Sequence, residues 1–211
     1  MSKDYSEDQL IQKSAADLLE KELGWTSVMA WDAEVLGETG TLGRKSYHEV
    51  LLVRHFCKAL KTLNPWMTEK QLAEAVERMT ERMSSQTLMQ INEQKYQYIK
   101  DGIPVTRVKP NGEMEEVKAK VIDFASPRKN EFLCVRELWV YGSLYRRRAD
   151  IVGFVNGIPL LFMELKNHDV EVVDAFNQNY RDYLDTIPQL FYHNAFIMFS
   201  NGLEARVGTI D

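Results

Sequence analysis

Three charged side chains close two otherwise apolar runs. Asp150 stands in Arg148-Ala-Asp-Ile-Val-Gly-Phe-Val155, and Glu164 and Lys166 end Ile158-Pro-Leu-Leu-Phe-Met-Glu-Leu-Lys166. An unpaired carboxylate in a buried strand is strongly destabilising, so two carboxylates and an ammonium at one sheet end imply mutual compensation or a bound cation. Carboxylates are hard oxygen ligands suited to Mg²⁺, and the backbone carbonyl of Leu165 with waters could complete the shell. A cation there would acidify a bound water and offset charge developing on a scissile phosphate. Lys166 could orient or deprotonate the attacking water and stabilise a phosphorane-like transition state. The chemistry such a set would support is phosphodiester hydrolysis, with no covalent intermediate needed. A buried ion pair with no chemistry is the alternative, against which stand the arginine-rich approach, the buried strands and the hairpin between the two acids.

The elements must bring these groups together. Glu164 and Lys166, two apart, project from one face of a strand. A two-residue Asn156-Gly157 hairpin would pair Asp150 with Met163 and turn Glu164 to the other face. A three-residue loop, 156–158, or a single bulge would set Asp150 opposite Glu164. Shared coordination therefore predicts that this turn is not the simple two-residue form.

Around this hairpin the patterning alternates between helix and strand. Leu10/Ile11, Ala15, Leu18/Leu19 and Leu23 mark an amphipathic helix over 7–23, with Ser6 and Gln9 as a capping box and Gly24 as its stop. Residues 25–31 read as a short strand. Helices follow over 47–63, behind Thr68 with Gln71 as capping partner, and over 87–100. Beyond residue 102 the period moves towards two, with a hairpin around Asn111-Gly112 and strands over 132–141, 150–155, 158–166 and 195–199. A helix over 172–184 intervenes, broken by Pro188.

The 211 residues, 45% hydrophobic and 27% charged, suffice for one elaborated domain, with a helical insertion over about 47–101 and a catalytic sheet core over about 103–211. The polar, acidic start and short apolar runs contain no export signal and no membrane span, which requires roughly 18 residues. Cys57 and Cys134 have neither zinc nor disulfide spacing, so a reducing, cytoplasmic setting is expected. A net charge of −5 and a pI near 5.5 exclude DNA binding by bulk electrostatics, so any DNA contact must be local. Of the basic clusters only Arg146-Arg147-Arg148 is dense, and its place before Asp150 suggests phosphate contacts. The four histidines have no cluster spacing, no G-x-S-x-G elbow occurs, and no G-x-x-x-x-G-K-[ST] loop is present.

At Ala149–Asn167 the sequence resembles the PD-(D/E)xK nuclease superfamily, and more narrowly the N-terminal nuclease domain of the restriction (R) subunit of type I restriction–modification enzymes. Leu63-Asn-Pro65, Ile122-Asp-Phe124, Asn130-Glu-Phe-Leu133 and Asn194-Ala-Phe-Ile-Met-Phe-Ser-Asn-Gly202 extend the likeness over about residues 7–207. The resemblance implies an α/β, restriction-endonuclease-like mixed central sheet flanked by helices, with an added helical segment. It implies Asp150 and Glu164 as metal ligands, Lys166 as catalytic lysine, and Mg²⁺, with Mn²⁺ as substitute. Double-stranded DNA and the modification and specificity subunits are the implied partners. ATP would serve only a motor in a longer polypeptide, of which a chain ending at 211 reads as a fragment. Ala149 replaces the usual Pro, a position that supplies no ligand. The family's Gln-x-x-x-Tyr helix pattern maps loosely, onto Gln178 and Tyr183 as DNA contacts. The acid that superfamily members add from the first helix would be Glu7, with Glu20 and Glu22 in competition and a capping or solvated role open to each. A non-catalytic DNA-binding or assembly module of the same fold is the alternative.

Overall fold

The computed structural model describes residues 7–81 and 85–210, without the side chains of 7–10, 174, 175, 177 and 178. The Ser6–Gln9 cap and the side chains of Glu7 and Gln178 therefore lie outside the described residues. Helix α1 (Glu7–Leu23) leads to β1 (Thr26–Met29), then α2 (Val53–Leu63), α3 (Glu69–Thr80) and α4 (Leu88–Asp101). Strands β2 (Ile103–Val108), β3 (Met114–Ala119), β4 (Phe132–Tyr141), β5 (Arg146–Val155) and β6 (Ile158–Leu165) follow. A helical run over 172–186 comprises α5 (Val172–Asp174), a π-helical stretch (Ala175–Tyr180) and α6 (Arg181–Thr186), before β7 (Phe196–Ser200) and β8 (Ala205–Gly208).

Six strands form one mixed sheet in the order β1-β4-β5-β6-β7-β8. The β4–β5–β6 meander is antiparallel, while β1 joins β4 and β7 joins β6 in parallel. Burial on both faces explains why 151–155 of β5 and 158–163 of β6 are continuous hydrophobic runs. Ala16 and Leu19 of α1 pack on Cys134, Ile151, Met163 and Leu165, whereas Tyr180 and Tyr183 of the helical run pack with Val152, Phe162 and Phe199.

A third core joins α2, α3 and the β2–β3 hairpin through Phe56, Leu60, Leu72, Met79, Ile103 and Val105, and reaches Val155 and Ile158 at the turn of β5–β6. The β2–β3 hairpin pairs only with itself in the described residues and packs with the helices, so the sheet proper draws instead on β1. Both Thr-initiated helices carry their capping boxes, Thr68 with Gln71 and Thr87 with Gln90. The helix read over 47–63 starts only at Val53, because the preceding backbone bonds to the sheet: the Tyr47 carbonyl accepts from Tyr141 N–H, and Leu52 N–H donates to Gly157.

The β5–β6 turn corrects the sequence expectation. Asn156 (φ 52°) and Gly157 (φ 80°) are both left-handed and Val155 pairs with Ile158, so the turn is the two-residue form. The register changes one step later. Phe154 pairs with Pro159 and Gly153 with Leu161, which leaves Leu160 as the extra residue of a bulge. The bulge, not the turn, supplies the odd residue.

Candidate active site

Beyond the bulge Ile151 faces Met163, so the next step of the ladder sets Asp150 opposite Glu164. A second irregularity re-aims Asp150. Val135, Leu138 and Val140 of β4 share one core cluster, as do Ala149, Val152 and Phe154 of β5. Strict alternation cannot place 135 with 138, or 149 with 152, on one face, so both strands step out of phase around Glu137 and Asp150. Glu137 is the strained point, with φ 57° in mid-strand. This step turns Asp150 towards α1, where Gln12 Nε2 donates to Oδ1 at 3.0 Å. The other oxygen, Oδ2, accepts the Leu165 N–H at 2.7 Å. In a strand the carbonyl of a residue points the same way as its N–H, so the Leu165 carbonyl also faces Asp150.

The Asp150 carboxyl is pushed up to about 8, chiefly by burial and then by the neighbouring Glu164 carboxylate, with the Leu165 N–H and Lys166 opposing and Glu137 adding to the rise. Glu164 is 2% exposed. Its Oε1 accepts from Lys166 Nζ at 2.8 Å and Asn179 Nδ2 at 2.5 Å. Its Oε2 is buried and has no hydrogen-bond partner among the described residues. The hydroxyl of Tyr183 comes near but donates to the Arg148 carbonyl at 2.9 Å. Buried polar atoms are seldom left unsatisfied, and an unpartnered carboxylate oxygen beside a second, charge-starved carboxyl suits a divalent cation. Among the described residues no set of three or more His, Cys, Asp and Glu side chains is gathered for a metal. The candidate is therefore a two-carboxylate site completed by backbone and solvent oxygen.

The arginine run divides. Arg147 pairs with Asp182 of α6 at 2.5 Å and Arg148 with buried Glu137 at 2.6 Å, while Arg146 is exposed over the Trp139 ring. Tyr183 is buried, at 7% exposure, and buttresses the site rather than its surface. A cleft of about 630 Å³ between α2, α3 and residues 189–193 is lined by none of Asp150, Glu164 and Lys166. The candidate site lies instead where β6 ends beside β5, with Lys166 a quarter exposed.

Gln12, Glu137 and Asn179 escaped the sequence reading. Gln12 lies on the buried line Gln12, Ala16, Leu19, whereas Leu18 and Leu23 of the expected stripe are 60% and 63% exposed. A lone amide at i, i+4, i+7 spacing with apolar residues was the available signal. Asn179 stands four before Tyr183, at the spacing of the Gln-x-x-x-Tyr pattern with a side chain one methylene shorter, and its amide donates to Glu164. Glu137 was legible only as a charge inside an apolar strand.

A model of the family described as type I restriction enzyme R protein N terminus matches residues 4–210. The chain is 32% identical over 97% of its length to a putative type I restriction enzyme MjaIXP endonuclease subunit of Methanocaldococcus jannaschii, covering 19% of that protein. It is 31% identical over 89% of its length to the type I restriction enzyme HindI endonuclease subunit of Haemophilus influenzae, covering 18%. The chain thus spans about a fifth of the length of these relatives. With a family model matching nearly all of its residues, this chain belongs to the family of type I restriction enzyme R protein N termini.

Proposed function

We propose that the chain is a divalent-metal-dependent endonuclease domain that hydrolyses phosphodiester bonds of double-stranded DNA in restriction, with Mg²⁺ as the working ion and Mn²⁺ as a substitute. The observation that carries this reading is half-buried Asp150 and buried Glu164 beside Lys166, with Glu164 Oε2 lacking any hydrogen-bond partner among the described residues. The names of the relatives, endonuclease subunits of type I restriction enzymes, support it. As part of such a subunit the domain would work with modification and specificity subunits and with an ATP-driven motor carried outside these residues.

Asp150, Glu164 and the Leu165 carbonyl would hold the cation. When bound, it supplies Lewis acidity and a more acidic water. Gln12 and the Leu165 N–H fix the two oxygens of Asp150, while Asn179 and Lys166 together fix Glu164 Oε1 and so orient Oε2 inward. Asp150 releases its proton on binding, so affinity rises with pH up to about 8. Lys166 Nζ is placed to donate to a phosphate oxygen as negative charge gathers on it.

Calorimetric titration with Mg²⁺ or Mn²⁺, alongside DNA cleavage by a complete R subunit assembly, tests the assignment. Asp150→Ala and Glu164→Ala should lose cation binding and cleavage. Lys166→Ala should retain binding and lose cleavage, with ATP hydrolysis preserved in all three. Unchanged cation binding in both acid variants, or cleavage by Lys166→Ala, would overturn it.

A further inference from the structure

Trp31, Arg148, Trp139 and Arg146 stack in that order beside the candidate site. The Arg148 guanidinium lies 4.8 Å from the Trp31 ring centre and 5.8 Å from that of Trp139, and the Arg146 guanidinium lies 5.1 Å from that of Trp139. The ladder register builds the stack, because Trp139 pairs with Arg148 and Tyr141 with Arg146 across β4 and β5. Arg146, Arg148 and Asp150 follow one another at two-residue steps, about 6.8 Å each, along one side of β5. Arg147 alternates to the other side and is held by Asp182.

We propose that this aromatic–arginine row is the track that leads a DNA strand to Asp150, with Arg146 and Arg148 contacting phosphates and Arg147 taking no part. The proposal rests on the nuclease reading and adds to it which residues hold the substrate. Stacking on indole fixes each guanidinium plane and leaves its N–H edge outward, the geometry that phosphate recognition uses. Glu137 meets Arg148 at Nε, and a guanidinium has five N–H donors, so the pair pins Arg148 without exhausting it. Arg146 is exposed, and Trp31 is 37% exposed, so the outer edge of the row is open to solvent. In a chain of net charge −5, a phosphate contact needs such a local concentration of cations.

The test is fluorescence anisotropy of a labelled random-sequence DNA duplex with this chain, in EDTA, over a series of salt concentrations. Arg146→Gln should weaken binding and lower the slope of log affinity against log salt by about 0.9, the loss of one phosphate contact. Arg148→Gln should do the same. Because that change strands Glu137, the paired variant Arg148→Gln with Glu137→Gln should show the same slope loss with a native circular dichroism spectrum. Arg147→Gln should leave the slope unchanged. An unaltered slope in Arg146→Gln or in the paired variant, an equal loss in Arg147→Gln, or no DNA binding by the unsubstituted chain overturns the track. Binding is read without metal or cleavage, so the track can fail while the cation and cleavage results for Asp150 and Glu164 uphold the nuclease reading, and the reverse.

Discussion

Replacing Asp150 by Asn should stabilise the metal-free protein while abolishing cation binding. Below pH 3.8 the Asp150 carboxyl is protonated whether the chain is folded or not; up to about 8 only the folded state keeps the proton. Each pH unit in that window costs the fold about 1.4 kcal/mol, a ceiling of about 6 kcal/mol above pH 8. The stability linked to the protonated carboxyl is thus full at low pH and is lost as pH rises through about 8. Solvent around the half-buried Asp150 reduces the penalty, so the expected gain for Asp150→Asn at pH 8 is about 1–4 kcal/mol. Asn fits the same contacts. Its oxygen can accept from the Leu165 N–H, and its NH₂ can meet Gln12 Oε1, which is buried without a partner among the described residues, once that amide turns over. Urea unfolding in EDTA at pH 5, 7 and 9 measures the effect: the advantage of the variant should grow from pH 5 to 9. Added Mg²⁺ should stabilise only the unsubstituted chain. A variant less stable at every pH, or an advantage that does not change with pH, would refute the reasoning.

Two further outcomes concern the frame. Buried His193 donates from Nε2 to the Met79 carbonyl, and burial, with Lys95 adding, lowers its pKa from 6.5 to about 4, so it supports the fold above pH 6.5 and this support fades as pH falls towards 4. Between pH 7 and pH 5 the protein should lose about 2 kcal/mol that His193→Gln does not lose, read by parallel denaturant titrations. At the β5–β6 turn, a Cβ on Gly157 would lie 2.6 Å from the Leu52 carbonyl oxygen and 2.8 Å from Phe56 N, at φ +80°. Gly157→Ala should therefore cost about 2–5 kcal/mol, combining left-handed strain and overpacking. Gly202→Ala, at φ +83° with nothing within 4 Å, should cost only the strain, about 1–2 kcal/mol, and equal losses at the two sites would contradict the clash.

What the sequence disclosed follows from how strongly each signal is tied to burial. The three site residues were legible because charge ends two apolar runs, and α3 and α4 were legible because period and caps agree with packing. β8 carries four exposed residues, so no alternation marks it, and it went unread. Gln12 and Asn179 were hidden for a different reason: each is an uncharged amide whose role is set by which carboxylate lies across from it, a tertiary fact.

The register of the central hairpin shows where such reading must stop. Asn156-Gly157 specifies a two-residue turn by its left-handed preference, and local chemistry prevails there because Gly157 is pressed against α2 and Asn156 is tied to Val121 O, Asn130 and Glu131 N. The residue count that sets Asp150 opposite Glu164 had then to be corrected further along, at Leu160. In a strand exposed on one face, an extra residue would break the alternation of polar and apolar side chains and betray itself. β6 is apolar on both faces from Ile158 to Met163, so a bulge leaves no mark in its pattern, and Pro159, a residue that sheets tolerate at bulges and edges, is the one local hint. The same two-sided burial that makes the acids conspicuous therefore conceals the bulge that sets them opposite one another in the ladder.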